Sequence, residues 1–190
     1  MEKKSGKQWV QWANENALNS NSLSTLSAAF KPKVENFIQA LVNGGALIKV
    51  ETTQRSPVRA YLFHWSWLVS LEKAKPSDPP AKVGVDIIWD HGDDAASILG
   101  AKEMVSGFGL AVPPKSQFAP SLTSNHILGN AIDMQITWNG KIKVKAANGS
   151  EVEINFTGSQ NTNEGLIKLG ATYGVLKLRN DEPHWSFNGR

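Results

Sequence analysis

Cysteine is absent from the 190 residues. That excludes a disulfide scaffold, thiolate-ligated zinc and a thiol nucleophile, and it leaves His, Asp and Glu as the side chains able to hold a metal. A chain without thiols suits a reducing and an oxidising compartment equally. No apolar run approaches the ~18 residues needed to cross a bilayer, so no integral membrane segment is expected. The basic start Met1-Glu2-Lys3-Lys4-Ser5-Gly6-Lys7 leads into no apolar stretch, and a secretory signal peptide is not expected either. Dense basic blocks are missing too. The 20 Lys and Arg exceed the 17 Asp and Glu by three, giving a pI near 9.1, but the cations are spread along the chain. A dedicated nucleic-acid binder shows a denser stripe, so no nucleic-acid partner is expected, and weak attraction to an anionic polymer or surface is what this charge implies. There is no internal repeat and no low-complexity tract.

What is present fits an ordinary globular domain with a real core: 41% apolar and 19% charged residues argue against long disordered tails and coiled coils. Trp9 and Trp12, at near-helical spacing in an Asn- and Ser-rich opening, suggest a short helix that packs its indoles inward. Residues 1–30 are read as an N-terminal helical extension and residues 31–190 as the main domain. Pro32 sits where a helix begins, and Val34, Phe37, Ile38, Leu41 and Val42 give it an apolar stripe that ends at Gly44-Gly45. Ala46 to Thr53 alternates as a strand. A second helix is predicted from Pro57 to about Leu71, with Ala60, Phe63, Trp67, Leu68 and Leu71 as its stripe. Lys82 to Trp89 reads as a strand, Ala95 to about Ser106 as a helix, and Val112 to Asn125 as irregular.

The last third alternates most cleanly. Ile132, Met134, Ile136 and Trp138 share one face of a strand, with Asp133, Gln135 and Thr137 on the other. Asn139-Gly140 and Asn148-Gly149 are strong hairpin turns, so a three-stranded antiparallel meander over Ala131 to Phe156 is predicted. A short helix over Asn163 to Leu169 and a strand over Ala171 to Leu178 complete an α+β domain.

Four histidines, His64, His91, His126 and His184, are the scarce chemical resource. His64 inside a helical stripe and His91 in a polar loop read as structural. His126 precedes the strand across Gly129, which permits a sharp bend. Asp133 lies mid-strand, where a carboxylate is costly unless it faces a cleft or a partner. His184 follows Asp181-Glu182-Pro183. Two imidazoles and a carboxylate leave a fourth position open for water, the arrangement of a catalytic zinc, and Asp181 or Glu182 stands beside the last of them as a general base. An extended chain puts Glu182 on the face of His184; a bend after the strand brings Asp181 round instead.

Ser124-x-His126-x-x-Gly129-x-Ala131-x-Asp133 resembles the S-x-H-x-x-G-x-A-x-D motif of the D-alanyl-D-alanine carboxypeptidase family of zinc metallopeptidases. That is the VanX/VanY-like group, which includes phage endolysins cutting L-alanyl-D-glutamate bonds. Asp181-Glu182-Pro183-His184 resembles the group's second motif, an acid three residues before the last ligand histidine. Thr53-Gln54-Arg55-Ser56 looks like its Arg-Ser segment. The resemblance covers roughly residues 30–190. It implies a small antiparallel sheet flanked by helices, like that of the hedgehog signalling domain and the D-Ala-D-Ala peptidases. It implies Zn2+ on His126, Asp133 and His184, Asp181 as general base, Arg55 in catalysis and substrate binding, and Ser124 orienting a ligand or the substrate. The implied substrate is a peptidoglycan stem peptide. The implied enzyme is a monomeric metallopeptidase, made in the cytoplasm and acting on the cell wall in the periplasm after release or delivery, in the manner of a compact phage endolysin. A secreted antibacterial effector of the same chemistry, and a non-catalytic zinc-containing wall-binding module, are the alternatives. The seven Trp are expected mostly in packing, with some free to line a cleft.

Overall fold

The computed structural model describes residues 3–190, in the order α1 (Lys7–Asn16), a 3-10 turn (Leu23–Thr25), α2 (Lys31–Asn43), β1 (Leu47–Thr52), α3 (Pro57–Ser70), α4 (Asp94–Phe108), β2 (Ala131–Thr137), β3 (Lys141–Lys145), β4 (Glu151–Asn155), α5 (Glu164–Thr172), β5 (Leu176–Lys177) and β6 (His184–Ser186). The class is α+β, as the sequence predicts. The chain divides into two compact units, one of residues 1–18 with 56–123 and one of residues 19–55 with 124–190. The stretch 1–30, read from sequence as one extension, is therefore shared between them at residue 18.

The first unit is helical. Trp9, Ala13, Ala17, Tyr61, Leu62, Val85, Trp89 and Met104 form its buried core, and Tyr61 donates to the Pro80 carbonyl while accepting from the Trp89 indole. Asp93 caps α4 by accepting from the Ala96 amide, and Gly109, at φ 65°, closes it. The expected strand over Lys82 to Trp89 does not form. Gly84 turns the chain at φ 81° and the Val85 amide bonds back to the Lys82 carbonyl, so only isolated bridges remain. His64 Nδ1 sits 2.8 Å from the Pro120 carbonyl and His91 Nε2 3.0 Å from Ser5 Oγ, structural partners for both.

The second unit is a four-stranded antiparallel sheet in the order β1-β2-β6-β5, with β3 and β4 paired separately. The α2 stripe supplies Val34, Phe37 and Leu41 to the core, while Val42, expected there, is exposed. Ile132, Met134 and Ile136 are buried on the inner face of β2, as the alternation predicts, and Trp185 of β6 packs beside them with its ring 5.4 Å from that of Phe37. The predicted meander is wrong. Asn139-Gly140 does turn the chain, but both edges of β2 are already taken by β1 and β6, so β3 pairs only with β4. The strand expected over Ala171 to Leu178 shrinks to β5, because α5 runs on to Thr172 and Gly174 turns the chain at φ 71°. Of the seven Trp, five are buried and the other two half-buried.

Candidate metal centre

Sheet register creates the site. Asp133 and His184 are directly opposed residues of β2 and β6. Opposed residues hold their Cβ atoms about 5 Å apart and on the same face, so this pairing brings together two side chains separated by fifty residues of chain. The face is the outer one, because Ile132 and Trp185 alternate to the core. On the other side of β2, a bulge in β1 between Val50 and Thr52 sets Thr52 against Asp133, and bulges of this kind re-aim side chains at strand pairs beside functional sites.

His126 reaches the same point from the turn leading into β2. The Ile127, Leu128 and Gly129 amides bond back to the Ser124, Asn125 and His126 carbonyls. Gly129 reverses the chain at φ 66°, and a Cβ there would stand 2.7 Å from the Thr25 carbonyl oxygen and 2.9 Å from the Ser27 amide. Only glycine fits on both counts. The buried Ala131 then starts β2.

The result is a triangle of possible ligand atoms. His126 Nε2, Asp133 Oδ1 and His184 Nδ1 lie 3.1 Å from one another along all three sides. Ligands ~2.0–2.1 Å from a tetrahedral ion stand about 3.3–3.4 Å apart, so the spacing fits a small divalent ion. The protonation pattern fits as well. His184 Nε2 lies 3.2 Å from the Arg190 main-chain oxygen. That oxygen only accepts, so Nε2 carries the proton and the Nδ1 of a neutral ring is a lone pair. A lone pair 3.1 Å from a carboxylate oxygen is repulsive unless a cation or a proton lies between them. Burial pushes the Asp133 carboxyl up, but when the two imidazoles are protonated in place of a cation, their hydrogen bonds and charge outweigh it and hold the group well below the usual carboxylate range. It is thus ionised and ready to ligate. These three residues are the one group of metal-binding geometry among the described residues, and they could hold a metal ion.

The surrounding residues separate into distinct roles. The Arg55 amide donates to the His126 carbonyl at 3.1 Å, which fixes this residue beside the first histidine. Its guanidinium makes no hydrogen bond or ion pair within the described residues. Ser124 Oγ and His126 Nδ1 are buried without a hydrogen-bond partner among the described residues. The bend before β6 is present: the Asp181 amide bonds to the Leu178 carbonyl at 3.2 Å and the His184 amide to the Asp181 carbonyl at 3.1 Å. Within that bend the two neighbouring acids differ. The Glu182 carboxylate accepts from Ser159 Oγ at 2.8 Å and from the Gln160 amide at 2.6 Å. Burial raises its pKa, but these bonds, with a further one from the Asn161 amide and the charge of Lys177, together outweigh it and leave the group below its ordinary value. The Asp181 carboxylate is exposed and without such partners among the described residues.

Sequence reasoning missed three participants. Lys177 is buried and donates to three carbonyls of the bend. Gln160 bonds both the Met134 carbonyl and the Trp185 indole. Asn125 holds Arg190 by donating to its main-chain oxygen at 2.6 Å. A lysine between two leucines, in Leu176-Lys177-Leu178, was the one signal available in the sequence.

No protein-family model matches the chain, and no curated protein is significantly similar to it.

Proposed function

We propose that this chain is a zinc peptidase that hydrolyses amide bonds in peptidoglycan stem peptides, with the fold and cell-wall role of the D-Ala-D-Ala carboxypeptidase and endolysin group. One observation carries the reading: two imidazoles and a carboxylate, brought by a turn and two paired strands, point three ligand atoms at a single place. Two nitrogens and one oxygen, three protein ligands where a tetrahedral ion takes four, suit zinc in a catalytic setting. The motifs around these residues supply the substrate class.

His126, Asp133 and His184 would hold the ion. Once bound, it supplies Lewis-acid polarisation of the scissile carbonyl and a water acidified towards pKa ~7. The remaining work belongs to the chain. The Asp181 carboxylate takes the proton from the attacking water and hands it to the leaving nitrogen as the carbon–nitrogen bond breaks. The Arg55 guanidinium donates to the carbonyl oxygen as negative charge gathers on it, or grips a substrate carboxylate. Glu182 is occupied in holding the 159–160 segment, which favours Asp181 for the proton transfer.

The test is mass spectrometry of fragments released from purified peptidoglycan, with and without a chelator. The expected result is cleavage at one class of stem-peptide amide, lost on chelation and regained with zinc. Intact peptidoglycan from a zinc-loaded, folded protein refutes the peptidase and leaves the wall-binding module.

A further inference from the structure

The segment joining β5 to β6 carries both Asp181 and His184, yet its amides and carbonyls join no long ladder. Something else must hold it. Three of its carbonyls are arranged around one point. The Leu178 carbonyl accepts from the Asp181 amide, the Asp181 carbonyl from the His184 amide, and the His184 carbonyl from the Leu178 amide. Each of these oxygens has a second lone pair. Lys177 Nζ takes all three, at 2.7 Å from Leu178, 2.5 Å from Asp181 and 3.1 Å from His184. An ammonium has three protons, so none is left over. The side chain is only 8% exposed, and the ammonium lies 5.5 Å from the centre of the Trp185 ring.

Such a cation is expensive to bury, and no carboxylate side chain forms an ion pair with it among the described residues. The bend takes the place of its water. Reciprocally, the bend has one geometry in which three carbonyls converge, and the ammonium selects it.

We propose that Lys177 is a positioning residue of the metal centre: its ammonium acts as an internal template for the Leu178–His184 bend, and so sets the direction of the His184 imidazole and of the Asp181 carboxylate. This rests on the reading of His126, Asp133 and His184 as a cation site, and does not require that the substrate be peptidoglycan. Lys177 touches neither the ion position nor the substrate; it acts through His184 and Asp181. Outer-shell partners of metal ligands typically account for 10–100-fold in affinity.

The experiment measures zinc affinity by chelator competition, and the visible spectrum of the cobalt-loaded protein, for the full wild-type chain, Lys177→Met and Lys177→Arg. Lys177→Met keeps the length of the stem and loses every donor. It should weaken zinc binding about tenfold or more and alter the cobalt band. Lys177→Arg keeps the charge and some donors, but its planar fork cannot serve three converging oxygens, so it should fall between Met and wild type. Circular dichroism checks the fold of each. If Lys177→Met does not fold, Lys177→Arg decides alone, with at least a threefold loss expected. Wild-type zinc affinity and an unchanged cobalt band in a folded variant overturn the proposal while leaving the metal centre standing. A wild-type chain that binds neither zinc nor cobalt overturns the metal reading and this inference with it.

Discussion

Asp181 and Glu182 are adjacent acids with opposite surroundings, and that contrast gives a clear experiment at the scale of single residues. Glu182 accepts from Ser159 and the Gln160 amide; Asp181 is exposed and has no such bonds among the described residues. Asp181→Asn should leave stability and zinc affinity unchanged while kcat falls by about 10²–10⁴, the usual worth of a general base. Glu182→Gln should retain most activity and lose stability, by about 1 kcal/mol for weakened charge-assisted bonds at a partly exposed site. Paired kinetics and urea melts of the two variants check this, and loss of turnover only in Glu182→Gln would reverse the roles. Arg55→Ala should lower kcat by about 10²–10³, the cost of one donor to a developing oxyanion, with cation affinity within twofold of wild type. Steady-state kinetics together with chelator competition separate the two effects. Side-chain chemistry at this scale was legible in the sequence for His126, Asp133 and His184, because a scarce residue type in an odd context draws notice. Lys177 was legible only as an odd lysine between two leucines, with nothing to show its role. Its partners are main-chain carbonyls, which every residue possesses, and their convergence is a property of the bend alone.

Among the elements, the turn from Ser124 to Asn130 is the most tightly specified. Gly129→Ala would put a methyl group within 3 Å of two main-chain atoms, Thr25 O and Ser27 N, at a φ of 66°. The left-handed backbone alone costs about 1–2 kcal/mol for a residue with a Cβ. With the clash added, a total of about 2–4 kcal/mol is expected. Because the turn delivers His126, zinc affinity should fall in step with the denaturation midpoint. An alanine variant of wild-type stability would mean that the turn relaxes without strain. The long elements were readable because their periods run for several cycles: Ile132, Met134 and Ile136 alternate, and Val34, Phe37 and Leu41 recur at helical spacing. Strand β6 was not readable. Its three residues, His184–Ser186, are too few to show a period, and Pro183 directly before them argues locally against a strand. The mistaken meander has a different cause. Asn139-Gly140 correctly predicts a reversal, but which strand lies beside β2 depends on β1 and β6, far away in sequence.

On the scale of the whole molecule, solution pH acts through buried groups as well as through the site. Burial raises the pKa of the Tyr61 hydroxyl above its ordinary value of 10.0, and the hydrogen bond from Trp89 only partly offsets this. The folded chain then keeps this proton at pH values where the unfolded chain has lost it. The sign follows: the stabilisation is complete below pH ~10 and is lost as pH rises through the folded-state pKa. Stability measured by tryptophan fluorescence should therefore decline above pH ~10. Tyr61→Phe should flatten part of that decline while lowering stability at neutral pH by about 1–3 kcal/mol, since the Pro80 carbonyl and the Trp89 indole lose their partner. A parallel alkaline decline in both proteins would remove Tyr61 from the account. At this scale the sequence conveyed the α+β class; among the described residues no helix is long and apolar enough to cross a bilayer. The division into two units was hidden, because it joins stretches that lie far apart along the chain.

The ligand set offers a single carboxylate against two imidazoles. A dication held there would keep one uncompensated positive charge, and the proposed amide hydrolysis would make a new carboxylate near it at every turnover. Small carboxylates such as acetate should then inhibit the proposed hydrolysis by competing for the same cation.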